Sequence, residues 1–167
     1  MPQVTFKGNP LTLEGTLVKV GDKAPAFVLA DNDLGVKKLS DYAGKVKVIT
    51  TFPSIDTPVC DMQVREFNKR AASLSKDVAV LGVSVDLPFA QARFCAAAGI
   101  TGVTTLSDYK ERAFSRSYGL FIKELALTAR SVIIVDKNDT VVYFELVKEV
   151  TEQPNYNAAL ESLAKVL

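Results

Sequence analysis

Histidine is missing from this chain altogether. That removes Cys–His and Ser–His nucleophile pairs and most zinc or haem ligation, so any activation of a side-chain nucleophile has to be electrostatic. Cysteine is scarce: Cys60 and Cys95 are the only two. They are too few for a structural zinc site and too widely spaced for a C-x-x-C motif. In a reducing cytosol a disulfide between them is expected to be transient and catalytic rather than structural. Neither sign of charge dominates, since 20 Lys and Arg face 19 Asp and Glu and leave a formal net charge of +1. With no basic tract and no aromatic-interleaved patch, neither nucleic acid nor a membrane surface is an expected partner. No apolar run approaches the ~18 residues of a membrane span, and the N-terminus lacks the charged start and apolar stretch of a secretory signal. A soluble, cytoplasmic protein is the expectation. Repeats and low-complexity segments are absent as well.

What is present is one core's worth of chain, 167 residues of which 48% are hydrophobic, so residues 1–167 are expected to form a single domain. Residues 4–13 alternate apolar and polar positions around Gly8-Asn9 and predict a β-hairpin, an N-terminal extension over residues 1–20 that caps the main domain. Residues 21–25 read as a linker, 26–29 as a short strand and 31–35 as a polar turn. The apolar, β-branched runs 46–52 and 78–85 have the composition of strands buried on both faces. Between them lies a helical pattern over 61–75, which predicts a right-handed β-α-β crossover. A second helix is predicted over 88–98, with Asp86 near its start, Pro88 in its first turn and Gly99 as its stop. A short strand at 103–106 and a short helix at 111–118, ended by Gly119, follow. Strands at 131–135 and 141–147 flank a hairpin turn at 136–139, and 156–167 form an amphipathic terminal helix. The fold class is therefore α/β, with a mixed central sheet flanked by helices and an antiparallel pair near its end.

Cys60 stands out by position. It closes the stretch Pro53-Ser-Ile-Asp-Thr57-Pro-Val-Cys60, in or just before the first turn of the helix, where unpaired backbone N–H groups favour an anion. A thiolate is such an anion, and helix N-termini with nearby Lys or Arg favour that form of cysteine. Val64, Phe67, Ala71 and Leu74 continue from Cys60 at helical spacing, so on spacing alone Cys60 is equally a small core residue. The loop tips that balance: Pro53 and Pro58 stiffen it, while Asp56 and Thr57 offer side-chain oxygens to the backbone or to the thiol.

Pro53, Thr57 and Cys60 match the Pro-x-x-x-Thr-x-x-Cys pattern of the peroxiredoxins. With Asp86-Leu-Pro-Phe-Ala-Gln-Ala-Arg-Phe-Cys95 and Ala129-Arg-Ser-Val-Ile-Ile-Val-Asp136, essentially the whole chain resembles the bacterial thiol peroxidase branch of that family, the atypical two-cysteine type. The resemblance implies a thioredoxin-like fold and a peroxidase that reduces hydrogen peroxide and organic hydroperoxides, alkyl or lipid, without metal or cofactor. It implies Cys60 as the peroxidatic nucleophile, Thr57 and Arg130 holding the thiolate and peroxide oxygens, and Pro53 shielding the site from water. Cys95 would resolve the Cys60 sulfenic acid as an intramolecular disulfide, with thioredoxin as electron donor and a homodimer as the assembly.

The residues by themselves leave alternatives. Arg130 reads on its own as an exposed charge at a strand edge, Thr57 as a helix cap and Cys95 as packing among Phe89, Ala92 and Ala96. Arg65 competes with Arg130 but is offset from the Cys60 face of its helix, and Arg93 reads as solvating its helix. Disulfide geometry needs Cα atoms within about 7 Å, so the resemblance carries the expectation that two helices shift or partly unwind between redox states. Phe52, Ile55 and Val59 lend the motif an apolar character that suits alkyl or lipid hydroperoxides. The rival functions are a peroxide-sensing thiol relay and a non-catalytic thioredoxin-like binding module.

Overall fold

The computed structural model describes every residue except Met1 and Ala72. Its strands are β1 (Gln3–Phe6), β2 (Asn9–Glu14), β3 (Val28–Ala30), β4 (Val36–Lys38), β5 (Val46–Thr51), β6 (Val78–Ser84), β7 (Thr104–Ser107), β8 (Phe121–Ile122), β9 (Leu127–Thr128), β10 (Ser131–Val135) and β11 (Val141–Leu146). The α-helices are α1 (Pro58–Ala71), α2 (Pro88–Ala98), α3 (Ala113–Ser117) and α4 (Tyr156–Ala164). Among the described residues the strands form a seven-stranded sheet, ordered β11-β10-β5-β6-β7-β3-β4, and a four-stranded one, ordered β1-β2-β8-β9.

The larger sheet is mixed because β5, β6 and β7 run parallel while β10 lies antiparallel to β5. All six residues of β5 are buried, as a strand covered on both faces requires. Its side chains split by the period of two: Val46 and Val48 pack with Phe67 of α1 and Leu163 of α4, whereas Ile49 packs with Phe114 and Tyr118 from the opposite side. Two apolar layers thus sandwich the sheet.

Several expected boundaries move. The hairpin turn is Lys7-Gly8, not Gly8-Asn9: Phe6 pairs with Asn9, and both loop residues have positive φ, 50° and 83°. A two-residue I′ turn needs that geometry at both positions. The strand expected at 26–29 is β3, shifted to Val28–Ala30, and it pairs with β4, which follows the polar turn of 31–35 and has no counterpart in the sequence pattern. β8 and β9 were also missed, being two residues each. They join the hairpin to the later chain through β2 and β8. α1 starts at Pro58, earlier than expected, and ends at Ala71. Ala72, within the expected helix, lies outside the described residues, and residues 73–75 are not helical. The terminal helix stops at Ala164 rather than 167. α2 keeps its expected bounds, with Asp86 near its start, Leu87 as N-cap and Gly99 as C-cap in the left-handed region, φ 66°.

A single carboxylate clasps the N-terminal hairpin to the loop after β11. Glu149 accepts from the backbone N–H of Lys7 and Gly8 and the Thr5 hydroxyl on one side, and from the Thr151 N–H and hydroxyl on the other. Alongside, Thr5 N–H donates to Lys148 and Val150 N–H donates to Thr5, at 2.6 and 2.9 Å. The Thr151 hydroxyl and the Gly8 N–H hold the Glu149 carboxyl down at about 2. A depressed carboxyl contributes stability above its unfolded value and loses it as pH falls through its folded one. Comparing wild type with Glu149→Gln by denaturant titration should therefore show a difference that is full above about pH 4.5 and shrinks as pH drops towards about 2.

Candidate active site

The parallel strands place three loops at one end of the sheet, the end where α/β folds assemble ligand sites. Residues 52–57 follow β5, 85–87 follow β6, and Asp108 follows β7. In the first loop Phe52, Pro53 and Ile55 are buried while Asp56, Thr57 and Pro58 reach solvent. Thr57 is the start of α1: its hydroxyl accepts from the Cys60 N–H at 3.3 Å and donates to the Ser54 carbonyl at 3.1 Å, while its carbonyl accepts from Asp61 N–H at 3.0 Å. The capping role is therefore real, and it attaches directly to the Cys60 backbone.

Cys60 sits in the first turn of α1 with 0% exposure, and both cysteines are free thiols. Cys95 lies in the last turn of α2, half-buried, with its sulfur 3.5 Å from the Thr105 hydroxyl on β7. Both pack in the same apolar layer, between the sheet and the helices α1 and α4.

Arg130 directly precedes β10, whose Ser131 pairs with Thr51 at the end of β5. The exposed-charge reading fails here, for Arg130 is only 2% exposed. Its Nε and Nη2 donate to the Val150 carbonyl at 3.1 and 2.7 Å, and its Nη1 donates to Gln63 Oε1 at 2.7 Å. Among the described residues no carboxylate forms an ion pair with it. Gln63 lies three residues beyond Cys60 on the same helix face, so the residue that binds the guanidinium is one turn along α1 from the thiol. Gln63 in turn donates to the Thr51 carbonyl at 3.0 Å and to the Thr50 hydroxyl.

Arg65 is exposed, paired with Asp61 and set over the Phe94 ring at 5.5 Å, so it is spent elsewhere. Arg93 is exposed. On the α4 side, Gln153 donates to the Val59 carbonyl at 3.2 Å and accepts from the Tyr156 hydroxyl. Burial and the Glu66 carboxylate push Tyr156 up to about 12, so its phenol remains a donor at neutral pH.

Three contributors had escaped the sequence reading. Gln63 was one turn beyond a known candidate on an apolar face, a signal that a polar residue there needs a partner. Val150 acts through its carbonyl, which no side-chain pattern reveals. Asp86 lies near the start of α2 as expected, but its carboxylate accepts from the Ile55 N–H at 2.7 Å and the Ser54 hydroxyl at 3.1 Å, partners no local pattern reveals. Among the described residues no group of three or more His, Cys, Asp or Glu is arranged to hold a metal ion, and no helix is long and apolar enough to cross a membrane.

The arrangement can hold an anion at the start of α1: helix N–H groups, a buried cation and a capped, stiffened loop converge there. Comparison with known proteins shows the family. The Redoxin family model matches residues 19–160. A thiol peroxidase of Bacillus subtilis is 53% identical over 167 residues, covering 100% of this chain and 99% of its own. A thiol peroxidase of Listeria monocytogenes is 52% identical over 165 residues, covering 99% of each. A solved peroxiredoxin-like protein from Aquifex aeolicus superposes with a TM-score of 0.94 at 41% identity, covering 100% of this chain and 98% of that one. The thiol peroxidase from Chromobacterium violaceum, at 23% identity and a TM-score of 0.88, covers 98% and 95% and is a likeness of fold.

Removing the Thr57 cap by Thr57→Val should cost about 1 kcal/mol of unfolding free energy. Gln63→Leu should cost about 1–3 kcal/mol, because it strands buried donors of Arg130. Denaturant titration of each variant measures both.

Proposed function

The chain belongs to the redoxin family and, within it, to the thiol peroxidases, and from that premise we propose that Cys60 is the group that attacks the peroxide. The protein is an oxidoreductase that reduces peroxide at the expense of thiols, on a thioredoxin-like α/β fold carrying an N-terminal hairpin. Residues 1–167 act as one domain in this reading, with 1–20 as its hairpin extension. The observation that carries the Cys60 assignment is a buried thiol in the first turn of α1, one turn before the Gln63 that binds a buried guanidinium with no carboxylate paired to it among the described residues.

The Cys60 sulfur, as thiolate, attacks the terminal oxygen of the hydroperoxide; an S–O bond forms, the O–O bond breaks, and the other oxygen departs as water or alcohol after taking a proton. Negative charge moves from sulfur to the departing oxygen in this step. Arg130 stays protonated throughout and acts electrostatically, with a planar fork that faces two atoms at once. Thr57 supplies a hydroxyl at the edge of the same pocket, and buried Pro53 keeps the loop closed against water.

Cys60 is left as a sulfenic acid. The Cys95 thiol then attacks that sulfur, expelling water and forming a Cys60–Cys95 disulfide within one chain. A dithiol donor, thioredoxin in this reading, returns both residues to thiols by exchange. Buried Phe52 and Ile55 with half-buried Val59 support activity on alkyl or lipid hydroperoxides as well as hydrogen peroxide. Exposed Met62, Leu87 and Phe89 at the starts of α1 and α2 supply apolar surface of the kind protein partners cover. A reductant and a second copy in a homodimer are the proposed partners, and a reducing cytoplasm suits the free thiols.

A coupled assay with thioredoxin, its reductase and NADPH tests the chemistry. Cys60→Ser should abolish turnover while the protein stays folded; substantial turnover by that variant would move the nucleophile elsewhere. Cys95→Ser should retain the first attack, leaving a sulfenic acid that dimedone traps, and should lose turnover with thioredoxin. For the guanidinium, Arg130→Lys should lower kcat/KM for peroxide by about tenfold or more, because an ammonium keeps the charge but lacks the two-pronged fork.

A further inference from the structure

Asp86 sits just past β6, outside the motif that carries the cysteine, yet its carboxylate faces the loop that delivers Cys60. Oδ2 accepts from the Ile55 N–H at 2.7 Å and from the Ser84 hydroxyl at 2.5 Å, while Oδ1 accepts from the Ser54 hydroxyl at 3.1 Å. The Ser54 oxygen in turn accepts from the Asp56 N–H at 3.2 Å, and the Ser54 carbonyl accepts from the Thr57 hydroxyl that caps Cys60. The line from Asp86 to the Cys60 backbone is thus continuous: carboxylate, Ser54, Thr57, Cys60 N–H.

The other end of that line is rigid. The Ser84 hydroxyl also accepts from the Asp86 N–H at 3.3 Å and from Gln91 Nε2 at 3.1 Å, and Gln91 Nε2 donates again to the Leu106 carbonyl at 3.0 Å. The Asp86 carbonyl accepts from the Ser107 hydroxyl on β7. Ser84, Gln91 and Ser107 are all buried. Gln91 lies on α2, one turn ahead of Cys95. The carboxylate therefore transfers the position of two central strands and one helix to a loop that has no strand pairing of its own.

We propose that Asp86 is a positioning residue for the peroxidatic step: its carboxylate fixes Ser54 and Ile55, and through Thr57 it sets where the Cys60 sulfur stands for in-line attack on the O–O bond. Reaction rates depend steeply on such placement, since a displacement of the nucleophile by about 1 Å can cost about a hundredfold. The inference rests on Cys60 being the nucleophile.

The test is steady-state kinetics of Asp86→Ala, Asp86→Asn and Ser54→Ala with hydrogen peroxide and thioredoxin, alongside Cys60→Ser. Asn retains an oxygen for Ile55 and Ser84 and an N–H that Ser54 can accept, so geometry survives without charge. Asp86→Ala should lower kcat/KM for peroxide by about tenfold or more and leave KM for thioredoxin unchanged. Asp86→Asn should recover most of that loss. Ser54→Ala, which removes one arm alone, should fall by about two- to fivefold and serves if Asp86→Ala does not fold. A role confined to stability would lower the melting temperature of these variants and leave kcat/KM for peroxide at the wild-type value, and that result overturns the proposal. Equal losses in Asp86→Asn and Asp86→Ala would also overturn it, by assigning the effect to charge rather than to placement. If instead Cys60→Ser itself turns over peroxide, the reading beneath the proposal has failed, whatever Asp86 does.

Discussion

A guanidinium buried among neutral partners is the constraint around which this end of the molecule is arranged. Taking Arg130 out of water costs several kcal/mol unless its donors are satisfied. Satisfaction comes from the Val150 carbonyl and the Gln63 amide oxygen, both uncharged, so hydrogen bonds are met while, among the described residues, no carboxylate pairs with the charge. That is the electrostatic condition a reactive sulfur anion and a departing oxygen anion need. Placing a carboxylate there instead would stabilise the resting protein and weaken the attraction for either anion.

Holding that charge in place recruits distant parts of the chain. Val150 belongs to the loop after β11, and its N–H is fixed by Thr5 of the N-terminal hairpin, beside the Glu149 clasp. Gln63 is fixed by the last two residues of β5. A hairpin that lies outside the main sheet thus bears on the position of the cation, through a carbonyl and no side chain of its own. On the other side of the pocket, Asp86 and Ser84 convey the geometry of β6 and α2 to the Cys60 loop.

The two cysteines are held by different kinds of structure. Cys60 is anchored at a helix start, where its own N–H is capped by Thr57 and its side chain is wholly buried. Cys95 is at a helix end, where its carbonyl receives the N–H groups of Gly99 and Ile100 and its half-buried sulfur meets the Thr105 hydroxyl. Helix ends open more readily than buried first turns that are tied to a sheet. Any rearrangement that joins the two sulfurs is therefore cheaper on the Cys95 side.

The sequence alone determined those features that arise from near neighbours. Buried strands β5 and β6 follow from β-branched runs, the limits of α2 from Pro88 and Gly99, and the place of Cys60 from a proline-stiffened loop leading into a helix. Local patterns carry these because the physics is local: propensity, capping and hydrophobic periodicity act within a few residues. The absence of histidine likewise excluded whole mechanisms before any fold was known. Only the tertiary structure decided what long-range contacts control. Arg130 reads from its neighbours as an exposed charge, and its burial depends on Gln63 and Val150, far away in the chain. Asp86 reads only as a residue near a helix start, and its carboxylate's partners, Ser54 and Ile55, lie some thirty residues earlier in the chain. Short strands such as β8 and β9 carry too few residues for a pattern and exist because β2 offers β8 an edge and β8 in turn offers one to β9.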